Sequence, residues 1–254
     1  MKLLEQKRGL VVGVANSHSI AWGISQACHQ HGAELAFTYL NESLERRVRP
    51  LAESLNSSLI VPCDVAQDEH LANLTSSLEK WGPLDFVVHS VAFAQREDLD
   101  GRFLDTSREG FRIALDISAY SLVALARACE PVMRPGGSIL ALTYYGAEKV
   151  MKNYNVMGVA KAALEASVRY LAADLGPQHL RVNAISAGPI KTLSAKGIRD
   201  FNDMLKHASD KAPLQRNVDA LEVGKSAVYL LSDLSSGVTG EIHYVDCGYN
   251  LMGM

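Results

Sequence analysis

Short apolar runs recur along the chain. Each ends in turn residues, and a longer segment with apolar positions about every 3.6 residues follows most of them. Leu10–Val14, Leu35–Tyr39, Leu59–Val61, Phe86–His89, Ser138–Thr143, Val182–Ser186 and Ile242–Val245 predict strands. The intervening segments predict helices over Ser19–His31, Ser43–Leu55, Asp68–Lys80, Ser107–Val132, Tyr154–Leu175 and Asp219–Asp233. Most of the strand runs are continuously apolar, as strands covered by helices on both faces are. Strand–helix alternation implies a parallel sheet with right-handed crossovers. The expectation is one α/β domain over 1–254: a Rossmann-type, doubly wound, seven-stranded parallel sheet with helices on both faces. One stretch breaks the rhythm. Ala187–Pro213 is too long for an ordinary connection, and insertions of this kind are often lids or binding loops.

The remaining properties narrow the class. A chain of 254 residues can bury a sizeable core without disulfide or metal staples. Its 48% hydrophobic and 21% charged residues are an ordinary globular balance, and a net charge of −3 with mixed signs argues against nucleic acid and against a polybasic membrane surface. Cys28, Cys63, Cys129 and Cys247 have no metal-ligand spacing and read as reduced thiols, mostly packed as small hydrophobes. No export signal opens the chain, and no apolar stretch approaches the roughly 20 residues of a membrane span. A cytoplasmic protein is the expectation.

The first strand ends at Gly13, and Ser19-Ile20-Ala21-Trp22-Gly23 opens a helix. A glycine here lets the chain turn beneath a pyrophosphate, and the helix start aims N–H groups and the positive dipole end at it. Ser19 could add a hydroxyl and cap the helix, and Gly23 would let helix and strand approach closely. The same strand–turn–helix can also be only a packing solution. At the end of the second strand Glu42 would repel the extra phosphate of NADPH, and Arg46 and Arg47 read as a solvated helix face, so NADH is the expected cofactor. Asp64 could bind an adenine amine, or Asp64 or Asp68 could cap the next helix. His89 reads as packed.

Two tyrosine–lysine pairs compete for the chemistry. Tyr154 and Lys161 are seven residues apart, about 700° of helix, which puts them on one face two turns apart. A lysine there can hold a nicotinamide ribose, and its charge would pull the phenol towards neutrality as an acid or donor. Tyr145 and Lys149 have the spacing of ordinary short-chain dehydrogenases. They precede any periodic helix, and Val132 stands where a partner serine is usual. The alternatives are a carbonyl or alcohol reductase using that second pair, or a non-catalytic nucleotide sensor. No Gly-x-Ser-x-Gly elbow is present, which removes a hydrolase reading.

Three segments together resemble the bacterial NADH-dependent enoyl-acyl-carrier-protein reductases, a divergent branch of the short-chain dehydrogenases. They are Gly13-x5-Ser19-Ile20-Ala21-x-Gly23, Tyr144-x9-Tyr154-x6-Lys161, and Arg181 through Thr192. The resemblance implies that Tyr154 hydrogen-bonds a thioester carbonyl, that Lys161 holds the ribose, and that Tyr144 lines the substrate pocket and assists protonation. It places the cofactor on Gly13, Ser19, Ile20, Leu40, Asp64, Val65, Val91, Lys161, Ile190, Lys191, Thr192, Leu193 and Ser194, and the substrate on Ala94. It further implies an enoyl thioester on acyl carrier protein as partner, a homotetramer, and a mobile substrate lid over 187–213. Three positions depart from the family. Leu40 replaces a polar residue near the adenosine ribose, and Ala92 replaces a glycine in the pocket for phenolic inhibitors. Asn202 and Asp203 follow Arg199 where more positive charge is common, which would either weaken carrier docking or shift it towards Lys196 and Lys206.

Overall fold

The seven strands form one parallel sheet in the order β3-β2-β1-β4-β5-β6-β7. A computed structural model describes residues 2–253, apart from the side chains of Ser194 and Lys196. The strands are β1 Arg8–Val12, β2 Glu34–Tyr39, β3 Leu59–Pro62, β4 Leu84–His89, β5 Met133–Thr143, β6 Arg181–Ala187 and β7 Ile242–Val245. The first strand stops short of the expected Val14 because Gly13, at φ +110°, turns the chain out of the sheet. β5 begins earlier than expected. Its register with β4 jumps from Leu84↔Met133 to Phe86↔Ser138, and the turn residues Pro135-Gly136-Gly137 take up the excess.

Helices cover both faces. One core layer packs Leu71, Leu74, Leu122, Leu125, Leu164 and Val168 against β4, β5 and β6. The other packs Trp22, Ile24, Val223 and Leu230 against the opposite face. The first layer comes from α3 Asp68–Trp81, α6 Ser121–Cys129 and α7 Val156–Leu175; the second comes from α1 Ile20–Gln30 and α9 Ala220–Leu231. α2 Glu42–Ser54 flanks the β2–β3 edge. This is why the strands read as unbroken apolar runs: neither face meets water.

Gly23 does not face a strand. A Cβ there would lie 2.4 Å from the Ala220 carbonyl oxygen, and one on Gly224 would lie 2.5 Å from the Gly23 carbonyl oxygen. The two glycines let α1 and α9 cross in backbone contact, which corrects the expected helix–strand approach. The expected helix Ser107–Val132 is interrupted. After α4 Arg96–Leu99, α5 Arg108–Leu115 passes through a π turn at Asp116–Tyr120 into α6. Such turns insert one residue and free a carbonyl. The periodic pattern of the segment carries no trace of that insertion.

Candidate active site

The strand order reverses between β1 and β4, and a crevice at that point of a parallel sheet is where ligands bind. A cavity of about 390 Å³ opens there. Gly13 and Ser90 form its floor at the two strand ends. A Cβ on Gly13 would lie 2.0 Å from the Ser90 carbonyl oxygen, so the backbones meet where only glycine fits. Ser19 stands at the start of α1, but its hydroxyl does not cap the helix. Its Oγ accepts the N–H groups of Ala15 and Asn16 at 3.0 and 3.1 Å. It thereby shapes the turn and keeps its own proton for a ligand. These features fit a dinucleotide pyrophosphate: a glycine cradle, an available hydroxyl and a helix N-terminus.

The reacting end lies deeper. α7 begins at Val156, so Tyr154 belongs to the preceding turn and not to the helix, a correction to the expected placement. The reason is Asn155, whose backbone at φ +40°, ψ −120° cannot continue a helix. Both side chains nonetheless line the same cavity, Tyr154 8% and Lys161 5% exposed. Lys161 Nζ donates to the Leu142 carbonyl at 2.7 Å. Burial pulls its pKa down to about 8, against an opposing pull from Glu165. Burial pushes the Tyr154 phenol above its ordinary value, and neighbouring Tyr144 and Glu165 add to this. That reverses the expected shift towards neutrality, and burial favours the neutral phenol over the tyrosinate.

Tyr144 meets Tyr154 edge to face, with ring centroids 4.9 Å apart. Its hydroxyl lies 3.3 Å from Met204 Sδ, and its phenol too is pushed up by burial. Gly146 makes room for this arrangement, since a Cβ there would collide with the Tyr154 ring. His89 is fully buried and neutral, its pKa lowered to about 3 by burial and by nearby Lys161. Ser121 gives its proton to the Ile117 carbonyl at 2.6 Å, so the His89 Nε2–H donates to Ser121 Oγ at 2.7 Å. It is a packing residue, as expected.

The competing pair faces away from this cavity. Tyr145 turns its hydroxyl to the Asn250 carbonyl at 3.2 Å and packs against Tyr244 and Tyr249, while Lys149 is exposed. Neither lines the cavity.

Of the other expected residues, Ile20, Val91, Ala94, Ile190, Thr192 and Leu193 line the cavity, as does Ala92. Lys191 instead lines an adjoining cavity of about 880 Å³ with Asn16, His18 and Asp203. Leu40, Asp64 and Val65 lie outside both, beyond the ends of β2 and β3. Leu40 is 49% exposed and Val65 is buried. Asp64 Oδ1 accepts the Ala66 N–H at 3.0 Å. The residue at the start of α3 is Gln67, so neither Asp64 nor Asp68 caps that helix. The expected contacts of the Ser194 and Lys196 side chains lie outside the described ones. The sequence reading missed Met157, Ile198, Phe201 and Met204, all of which line the cavity. Phe201 and Met204 are three residues apart on α8 Phe201–Lys211, and that apolar spacing was the available signal.

The model of the family described as Enoyl-(Acyl carrier protein) reductase matches residues 13–250. An NADH-dependent enoyl-acyl-carrier-protein reductase of Rickettsia typhi is 57% identical over 253 residues, covering 99% of this chain and 97% of the relative. The enoyl-acyl carrier protein reductase of Bacillus cereus, solved with NADP+ and indole naphthyridinone, has 56% identity, a TM-score of 0.98 and full coverage of both chains. The enzyme of Anaplasma phagocytophilum, solved with NAD, has 55% identity and a TM-score of 0.96, covering 99% of this chain and 97% of that one. With matching residues from the first turn to the last strand, this chain belongs to the enoyl-(acyl carrier protein) reductase family.

Proposed function

We propose that the chain reduces the 2,3 double bond of trans-2-enoyl thioesters carried on acyl carrier protein, with NADH as cofactor. The observation that carries this reading is the pair Tyr154 and Lys161, both buried and both facing one cavity at the strand-order reversal. Bound NADH supplies the hydride. Lys161, Gly13, Ser19, Ile20, Val91 and the run 190–194 would hold it. As negative charge develops on the thioester carbonyl oxygen, the Tyr154 hydroxyl donates a hydrogen bond to it. A preorganised donor in a water-poor site contributes most where charge appears only in the transition state. A phenol held neutral by burial suits that role. Tyr144 supports the Tyr154 ring, lines the acyl pocket and stands ready to assist protonation of the enolate.

NADH is preferred because Glu42 opens α2 with an exposed carboxylate, and Arg46 and Arg47 point to solvent. The segment 187–213, with α8 in its C-terminal half, is the substrate lid. Carrier protein meets this face through Arg199 and Lys206, which internal carboxylates already engage: Arg199 lies 3.1 Å from Asp100, and Lys206 lies 2.5 Å from Asp210. Docking is accordingly weak in charge. The chain works in the cytoplasm as a homotetramer.

The test follows NADH absorbance with crotonyl and longer enoyl thioesters against simple ketones, and repeats the thioester series with NADPH. Oxidation with thioesters only, and a higher kcat/KM with NADH, is expected. Turnover of ketones alone would return the carbonyl-reductase reading. Cofactor binding without any turnover would favour the nucleotide sensor.

A further inference from the structure

Two asparagines flank Tyr154, and both hold positive φ, Asn153 at φ +63° and Asn155 at φ +40°. Asparagine tolerates this region better than most side chains, but a pair of such residues needs external support to stay there. That support reaches in two directions. Asn155 Nδ2 donates to the carbonyls of Leu99 and Gly101 at 3.0 and 3.3 Å. Asn153 Nδ2 donates to the Arg199 carbonyl at 2.9 Å and lies 3.4 Å from Asp200 Oδ2. Arg199 closes the ring by pairing with Asp100 at 3.1 Å.

The turn that carries the phenol is therefore fastened on one side to the 99–101 loop and on the other to the lid. The ion pair joining those two anchors is mostly exposed and contributes little by itself. The Asn153 amide is the direct link, because its main acceptor is a backbone carbonyl of the lid. We infer that Asn153 is a positioning residue whose amide couples the setting of the Tyr154 phenol to the seating of the lid. The inference rests on Tyr154 being the donor to the thioester carbonyl. When the lid lifts, Asn153 loses its acceptors and the turn before Tyr154 loses one of its two anchors. The donor is then fully set only while the lid is down.

Two variants separate this coupling from ordinary folding defects. Asn153→Asp keeps the size and the backbone tolerance but replaces the donor with a carboxylate facing the Arg199 carbonyl and Asp200. Asn153→Gly keeps the positive φ and removes the side chain. Each is measured in the full-length enzyme with NADH and crotonyl-coenzyme A, per active site counted by NADH titration, alone and combined with Tyr154→Phe. Misplacing a reacting group by a fraction of an ångström is expected to lower kcat about 10-fold in both variants, with the NADH Kd unchanged. Against the residual turnover of Tyr154→Phe, the same changes should cost no more than about 2-fold, because the phenol they position is gone. Wild-type kcat in both variants would overturn the inference. So would an equal loss with and without the phenol, which is the mark of a general structural role. If Tyr154→Phe alone keeps wild-type turnover, the reading of Tyr154 falls first and the inference falls with it.

Discussion

Lys161 is the residue whose chemistry depends most on its surroundings. It is buried, gives one hydrogen bond to the Leu142 carbonyl, and has its pKa drawn down to about 8, chiefly by burial. The cationic form donates to a ribose more strongly than the neutral amine and alone brings positive charge near Tyr154. kcat/KM for NADH reports groups on the free enzyme, so it should fall as pH rises through about 8. A flat profile up to about pH 10, nearer the ordinary range of lysine, would show that the ammonium is not so desolvated. Stability moves the other way. The unfolded chain keeps this proton to higher pH than the folded one, so the cost of the buried charge is fully present below about 8. That cost is relieved as pH climbs towards the unfolded value. Tyr154 is placed differently from the sequence expectation for a local reason. The seven-residue spacing argument holds only if both residues are helical, and nothing in Tyr154-Asn155 announces the positive φ that takes Tyr154 out of the helix. The sign of the phenol shift was equally hidden. It depends on how completely the cavity walls exclude water, which is a property of packing and not of spacing.

At the scale of elements, the crossing of α1 and α9 sets the depth of the cofactor cradle, because Ser19 and Ile20 start the helix that crosses. Gly23→Ala tests this. Alanine improves helix propensity by nearly 1 kcal/mol, but its Cβ meets the Ala220 carbonyl carbon and oxygen at 2.5 and 2.4 Å. Backbone cannot step aside as a side chain can, so overpacking prevails. A net loss of about 1–2 kcal/mol is expected in denaturant midpoints, with weaker NADH binding. An unchanged midpoint would mean that the two helices can separate freely. The strand and helix pattern was legible because strands buried on both faces and amphipathic helices write different periods into the chain. The π turn at Asp116–Tyr120 was not, since the helical runs of 8 and 9 residues on either side are too short to show its phase shift of about 100°. The lid helix was overlooked because its apolar positions Phe201, Met204, Leu205 and Ala208 are diluted by charged and polar neighbours, and Met204 meets Tyr144 across 60 residues of sequence.

For the whole molecule, one outer surface carries an exposed apolar stripe. Val159, Ala163, Ala166 and Tyr170 follow one face of α7, and all are at least partly exposed, Tyr170 at 77%. Phe111 and Tyr120 on the neighbouring α5 and π turn are exposed as well. An apolar helix face of this length is expected to pair with another copy of the chain. Replacing Tyr170 and Val159 by glutamate should lower the sedimenting mass from that of a tetramer. A wild-type protein that sediments as a monomer would remove the proposal. The overall topology could be foreseen from the alternation of elements. The resemblance implies a homotetramer, but not its surface, because the α7 stripe is indistinguishable in sequence from a helix face turned to the core.

The most direct measurement is single-turnover transfer from NADH to crotonyl-coenzyme A in Tyr154→Phe and Tyr145→Phe, the two tyrosines that compete for the donor role. Removing a preorganised donor of this kind costs about 100- to 1,000-fold. That loss is expected for Tyr154→Phe, with Tyr145→Phe close to wild type. A collapse of transfer in Tyr145→Phe while Tyr154→Phe stays active would contradict the assignment.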